Sequence, residues 1–262
     1  MKRIYFTLIA LMATLVASAQ VIKVYEYDAN GNLSNTPAYV SDKKVKVVFK
    51  EQEHEYVDLG LPSKTLWATC NVGATKPEEF GDYFAWGETK PKSYYSWDTY
   101  KWLNEGQSSW QQINKYTFAD GATKTCWYSG STFIGDNKTE LDPEDDAATA
   151  NWGSDWRMPS FEQIEELCNR EYTDIKWTTL NGVDGCLITS KKNENSIFFP
   201  AAGHLHEGQL WNVPFWGGCW SRELCPDVSD AAWLLVINSS IFSANEQCRD
   251  YGHSVRPVRV KE

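Results

Sequence analysis

The run Trp156-Arg157-Met158-Pro159-Ser160 opens the clearest helix of this chain, and nearly everything after it reads as short strands. Ser160 and Gln163 make a capping box, in which each side chain accepts the other's backbone N–H. Phe161, Ile164, Leu167 and Cys168 then share one face while Glu162, Glu165 and Glu166 fall on others, the pattern of a helix that buries a single stripe. Strand signals follow at Lys176 to Thr179, Cys186 to Thr189, Ser196 to Phe199, Gly218 to Arg222, Trp233 to Ile237 and Ser254 to Val258, with turns at Asn181-Gly182 and Lys192 to Asn195. One helix followed by a meander of short antiparallel strands and long loops predicts an α+β fold.

Upstream of that helix the signals are weaker. Leu66 to Asn71 and Tyr83 to Trp86 read as early strands. Thr75 to Gly81, with a cap candidate, an early Pro, acids and a closing Gly, predicts one helical turn. Residues 88 to 138 read as an insertion of loops with one short helix. Asp142 and Pro143 predict a further helix start, and Glu144, Asp145 and Asp146 suit the positive end of its dipole. The alternative for these carboxylates is calcium, which takes hard oxygen ligands, although the spacing is not that of an EF-hand loop.

The first residues are of another kind. Lys2 and Arg3 precede an apolar run from Ile4 to Val16 and then Ala17-Ser18-Ala19, which predicts a signal peptide over 1–19 cleaved before Gln20. The run is too short to cross a bilayer, so the chain is expected to be exported to the periplasm, the cell surface or the medium, and not membrane-spanning. Val21 to Tyr27 and Lys44 to Lys50 alternate as strands, with a turn at Asp28 to Asn32. Together with a charged linker they predict a β-hairpin appendage over 20–53, ahead of a main domain over 54–262.

Losing Lys2 and Arg3 with the leader takes the formal charge from −10 to −12, which argues against nucleic acid or an anionic membrane as partner. The odd set Cys70, Cys126, Cys168, Cys186, Cys219, Cys225 and Cys248 contains no Cys-x-x-Cys, so neither a metal knuckle nor a thioredoxin-like motif is predicted. His204-Leu205-His206 could set two imidazoles on one side of a strand, but no third ligand stands at a fixed spacing, and both read as loop or surface histidines. Arg157 and Arg256 read as framework residues paired with an acid such as Asp82 or Glu88. No catalytic residue and no resident cofactor is predicted.

Several further runs belong together: Glu55 to Ser63, Leu66 to Ala74, Gly81 to Thr89, Trp156 to Pro159, Phe199 to Gly203, Trp220-Ser221 and Gly252 to Arg259. In this order they resemble the Fibrobacter succinogenes major paralogous domain family, carried by exported proteins of Bacteroidetes, over about residues 54 to 260. That family in turn resembles the formylglycine-generating-enzyme branch of the C-type-lectin fold. The resemblance implies a C-type-lectin-like domain, and a non-catalytic binding or adhesion module recognising a glycan or a protein at the cell envelope. The alternatives are a formylglycine-type oxidase, for which Cys219, Cys225 and Cys248 are the candidates, and a structural envelope protein. By the same resemblance the late loops carry the ligand, which picks out Trp211, Trp216, Asn238, Ser240, Asn245, Arg249 and Tyr251. Trp220 and Trp233, inside expected strands, are the aromatics set aside for the core.

Overall fold

A computed structural model describes residues 54–260 together with two short strands near the N-terminus. The chain divides into two units, Met1–Lys50 and Glu51–Glu262. In the first, β1 (Lys23–Val24) pairs antiparallel with β2 (Tyr39–Val40). The partner of the first strand therefore lies ahead of the expected Lys44 to Lys50. That segment, the expected leader and most of the charged linker lie outside the described residues.

The second unit is mostly β-sheet with two α-helices among the described residues. Its first and last strands flank the same neighbour: β3 (Tyr56–Asp58) and a C-terminal strand, Val258–Val260, both pair antiparallel with β4 (Thr65–Ala68). Tyr83 to Trp86 makes only an isolated bridge between Phe84 and His253. The expected helical turn at Thr75 does not become a helix: one backbone bond closes it, Glu79 N to Lys76 O at 3.2 Å. Instead the Glu79 carboxylate reaches back to accept from Thr75 N, Thr75 Oγ1 and Lys76 N, at 2.7, 3.0 and 3.2 Å, closing a turn before a helix can propagate.

The insertion has a core of its own, made of Ala85, Tyr95, Tyr100, Leu103, Ile113 and Trp127. Its helical pieces are single 3-10 turns at Trp97–Thr99 and Trp110–Gln112, and a small hairpin joins β5 (Tyr128–Ser129) to β6 (Thr132–Phe133). The acidic run starts a helix one step later than expected. Pro143–Asp145 forms a 3-10 turn, and α1 (Ala147–Trp152) is capped by Asp146, which accepts from Ala148 N and Thr149 N. Asp145 is taken by Lys101, Lys115 and Tyr116, and Asp142 by Lys115 and Lys138.

The expected capping box of α2 (Phe161–Cys168) is present in both directions. Ile164 and Leu167 are fully buried, in a cluster with Leu59, Trp67, Ile188, Phe199, Leu235 and Ile237. Phe161 instead lies against the half-buried Trp233, ring centres 4.5 Å apart. After α2 come β7 (Thr173–Leu180), β8 (Val183–Ser190) and β9 (Ser196–Pro200), one antiparallel sheet. The Asn181-Gly182 turn between the first two has both residues at positive φ, as a two-residue hairpin of this hand requires.

A short hairpin, β10 (His204–His206) and β11 (Gln209–Trp211), precedes a second sheet of β12 (Trp216–Leu224), β13 (Ala231–Asn238) and β14 (Phe242–Cys248). Trp220, fully buried, belongs with Trp86, Trp156, Leu234 and Val255 in another core cluster. The last described strand is β15 (Val258–Val260); ahead of it the expected strand from Ser254 makes only a bridge to Cys219.

Candidate ligand-binding face

The hairpin β10–β11 sets the geometry. Glu207 and Gly208 form its two-residue turn, both at positive φ, so His206 faces Gln209 and His204 faces Trp211. Alternation along a strand puts these four side chains on one side and Leu205 with Leu210 on the other. The two histidines thus share one side of a strand, but His204 is buried and not at a surface, a correction to the expected loop placement. The Trp211 indole N–H donates to the His206 carbonyl at 3.3 Å, which satisfies its polar edge while the ring stays 47% exposed.

Other exposed apolar side chains are Phe215, at 72% exposure in the loop after β11, Tyr94, and Leu210 on the opposite side of the hairpin. Tyr94 lies beside the hairpin turn, 3.3 Å from where a Cβ of Gly208 would be. Phe215 N and Trp216 N both donate to the Asn212 carbonyl, closing a tight turn between β11 and β12. Exposed apolar area in one place on a protein surface marks an interaction site more often than scattered single residues do. Tyr94, Leu210 and Phe215 escape sequence reading because each sits in a loop or hairpin without periodicity. The one available signal is the Glu207-Gly208 turn between alternating His204, His206 and Gln209, Trp211.

Of the seven residues expected to bind, three come together here. Trp211 is exposed, Trp216 is half-buried with its ring edge-on to His204 at 5.5 Å, and Tyr251 stacks on His206 at 3.9 Å. Asn238, opposite Trp216 in the sheet register, holds a turn: its Oδ1 accepts from Ser240 N at 2.8 Å and Ile241 N at 2.7 Å. Ser240 is exposed on that turn. Asn245 stands on the outer strand β14, where its Oδ1 accepts from Glu246 N. Arg249 must be withdrawn from the face. It is wholly buried, donating to the carbonyls of Tyr116 at 3.0 Å and Ser229 at 2.5 Å, so its charge is spent inside the fold.

Of the other arginines, Arg157 has the acidic partner expected of it and Arg256 does not. Arg157 pairs with Glu140 at 3.0 Å. Arg256 is fully buried and, among the described residues, pairs with no carboxylate. It donates to Asn71 Oδ1 at 2.8 Å and to the carbonyls of Ala68, Thr69 and Phe198, so Asp82 and Glu88 are not its partners. Burial holds its pKa down to about 10.

The seven cysteines are all free. Burial pushes the thiols of Cys219 and Cys248 up to about 11 and about 12. Among the described residues no group of three or more His, Cys, Asp and Glu side chains is placed to hold a metal ion, and no helix is long and apolar enough to cross a membrane. No family model, curated protein or solved structure matches the chain.

Proposed function

We propose that this chain is an exported, non-catalytic binding or adhesion module of C-type-lectin-like architecture, recognising a glycan or a protein at the cell envelope through the face around Trp211. One observation carries the reading: Trp211 stays open to solvent on a braced hairpin, with the exposed Tyr94 beside the hairpin turn and the exposed Phe215 in the loop that follows, and the Trp211 N–H is already bonded within the chain. Rigid aromatics of this kind supply contact area at little cost in side-chain entropy. A formylglycine-type oxidase would work through a reactive thiolate, and the raised thiols of Cys219 and Cys248 weigh against it.

A glycan array and a panel of envelope and host proteins, probed with the full chain with and without calcium, test the proposal. Saturable binding is expected, lost at least tenfold in Trp211→Ala and Phe215→Ser at an unchanged thermal midpoint. An absence of saturable binding on either panel, or full binding by both variants, overturns it.

A further inference from the structure

Three of the chain's four histidines meet beneath this face. His206 and Tyr251 are stacked within 7° of parallel. His204 lies 5.4 Å from the same tyrosine ring and 5.5 Å from His253. Trp216 and Trp220 close against His253 at 5.5 and 4.7 Å. Four buried polar atoms in this nest have no hydrogen-bond partner among the described residues: Nδ1 of His204, both ring nitrogens of His253, and Oδ1 of Asp250. Leaving such groups unpaired is costly, so they represent a stress built in where the hairpin meets residues 250–253. Few main-chain bonds hold that junction: Leu205 and Gly252 exchange two, at 2.9 and 2.8 Å, and Glu207 N donates to Tyr95 O at 2.9 Å.

We propose that the nest of His204, His206, Asp250, Tyr251 and His253 is a proton-operated latch, which clamps the β10–β11 hairpin at neutral pH and releases it on acidification. The latch rests on the reading of the hairpin as the binding face. Charged and titratable groups facing it are limited in number. Asp250 sees His206 Nε2 at 3.8 Å, with Lys92, Asp230 and Glu207 further off. His204 sees His206, and His253 sees His204. Tyr251 sees Cys248, Asp250 and Glu207. Lys92 is already committed to Glu88 at 2.9 Å and to the Thr99 carbonyl.

The signs follow from burial. It depresses the pKa of His204 and, more strongly, of His253, whose neighbour His204 adds to the effect. A released hairpin wets both rings, which then take protons near the ordinary value of about 6.5. Acid therefore favours release through two imidazoles. Asp250 opposes them: burial raises it to about 7, so the clamped form gains that one proton first. Once neutral, it offers no anion to hold a proton on the rings. Below about pH 6 two protons favour release against one favouring closure, a net of one, or ~10-fold in the release equilibrium per pH unit.

Hydrogen exchange of the unliganded full chain tests this independently of any ligand. Corrected for intrinsic rates, the amides of Leu205, Glu207 and Gly252 are expected to open ~10-fold more often at pH 5 than at pH 6. Amides of Ile188 and Leu235, in the large sheets, should not change. Asp250→Asn, which removes the opposing carboxyl, should steepen the response toward ~100-fold, and His204→Phe should flatten it. Ring titration by NMR in the unaltered protein adds a check that no variant can spoil. Equal protection of the hairpin at both pH values, or ordinary titration of His204 and His253, overturns the latch. A silent array at pH 7 with the exchange response intact would instead overturn the binding reading alone.

Discussion

Gly218 makes the room that His253 occupies. A Cβ at position 218 would stand 2.8 Å from Nδ1 of His253 and 2.5 Å from the Leu234 side chain, closer than real Cβ contacts come. Because both neighbours are buried, neither can swing into solvent. Gly218→Ala should therefore cost about 1–3 kcal/mol by overpacking. Urea melts measure it, and an unchanged midpoint would show that β12 can shift away.

Asp250 should give a pH-dependent difference when it is neutralised. Its carboxyl is raised from 3.8 to about 7 by burial, so the folded protein carries a penalty that is absent below about pH 4 and complete above about pH 7. Asp250→Asn should then be the more stable protein by about 1–3 kcal/mol at pH 8, and the two should converge as the pH falls toward 4. Paired denaturant melts across this range check the sign. A difference that grows on acidification would contradict the assignment.

The helix α2 offers two separable tests. Ser160→Ala removes the cap that Gln163 N donates to and should cost about 0.5–2 kcal/mol. Leu167→Ala opens a cavity at a fully buried position and should cost about 2–5 kcal/mol. Equal losses in urea melts would mean that the cap does more than close the first turn.

Arg249 and Arg256 are internal ties, so alanine at either strands several buried carbonyls. Each substitution should cost at least about 3 kcal/mol, visible as loss of the cooperative thermal transition or a large fall in its midpoint. A ligand-binding loss in Arg249→Ala at unchanged stability would return that residue to the face.

The free edge of β14 is closed by the chain's own side chains. Glu246 N donates to Asn245 Oδ1 at 2.9 Å and Cys248 N to Gln247 Oε1 at 3.0 Å. Unpaired edge N–H groups invite strand pairing with another molecule. The double variant Asn245→Ala, Gln247→Ala should self-associate with rising concentration in sedimentation experiments, and more strongly than the parent protein at the same concentrations.

Much of the mostly-β architecture was legible in the sequence wherever a local rule governs. The Ser160 and Gln163 capping box, the Ile164 and Leu167 stripe and the Asn181-Gly182 turn depend on neighbours a few residues apart, and all three are where periodicity and turn chemistry place them. The acidic run was harder, because Asp142 and Asp146 are both good caps and only the lysines and Tyr116 arriving from distant loops decide between them. Of the nest, only the placing of His204 and His206 on one side of a strand was legible. His204, His253 and Asp250 look like loop residues until β10 pairs with Gly252 and brings them under Trp216. For the same reason Arg249, which reads as a surface donor, turns out to be an interior one.

Strand β4 has β3 on one side and β15 on the other. A polypeptide emerging in order from a ribosome or a translocation channel can form the β3–β4 pair early, but it leaves one flank of β4 bare until residues 258–260 appear. Folding of the second unit is in this sense completion-controlled. Arg256, just ahead of β15, cannot reach Asn71 and the Ala68 carbonyl until the same moment, so a chain interrupted shortly before Val258 would lack both the zipper and its bolt.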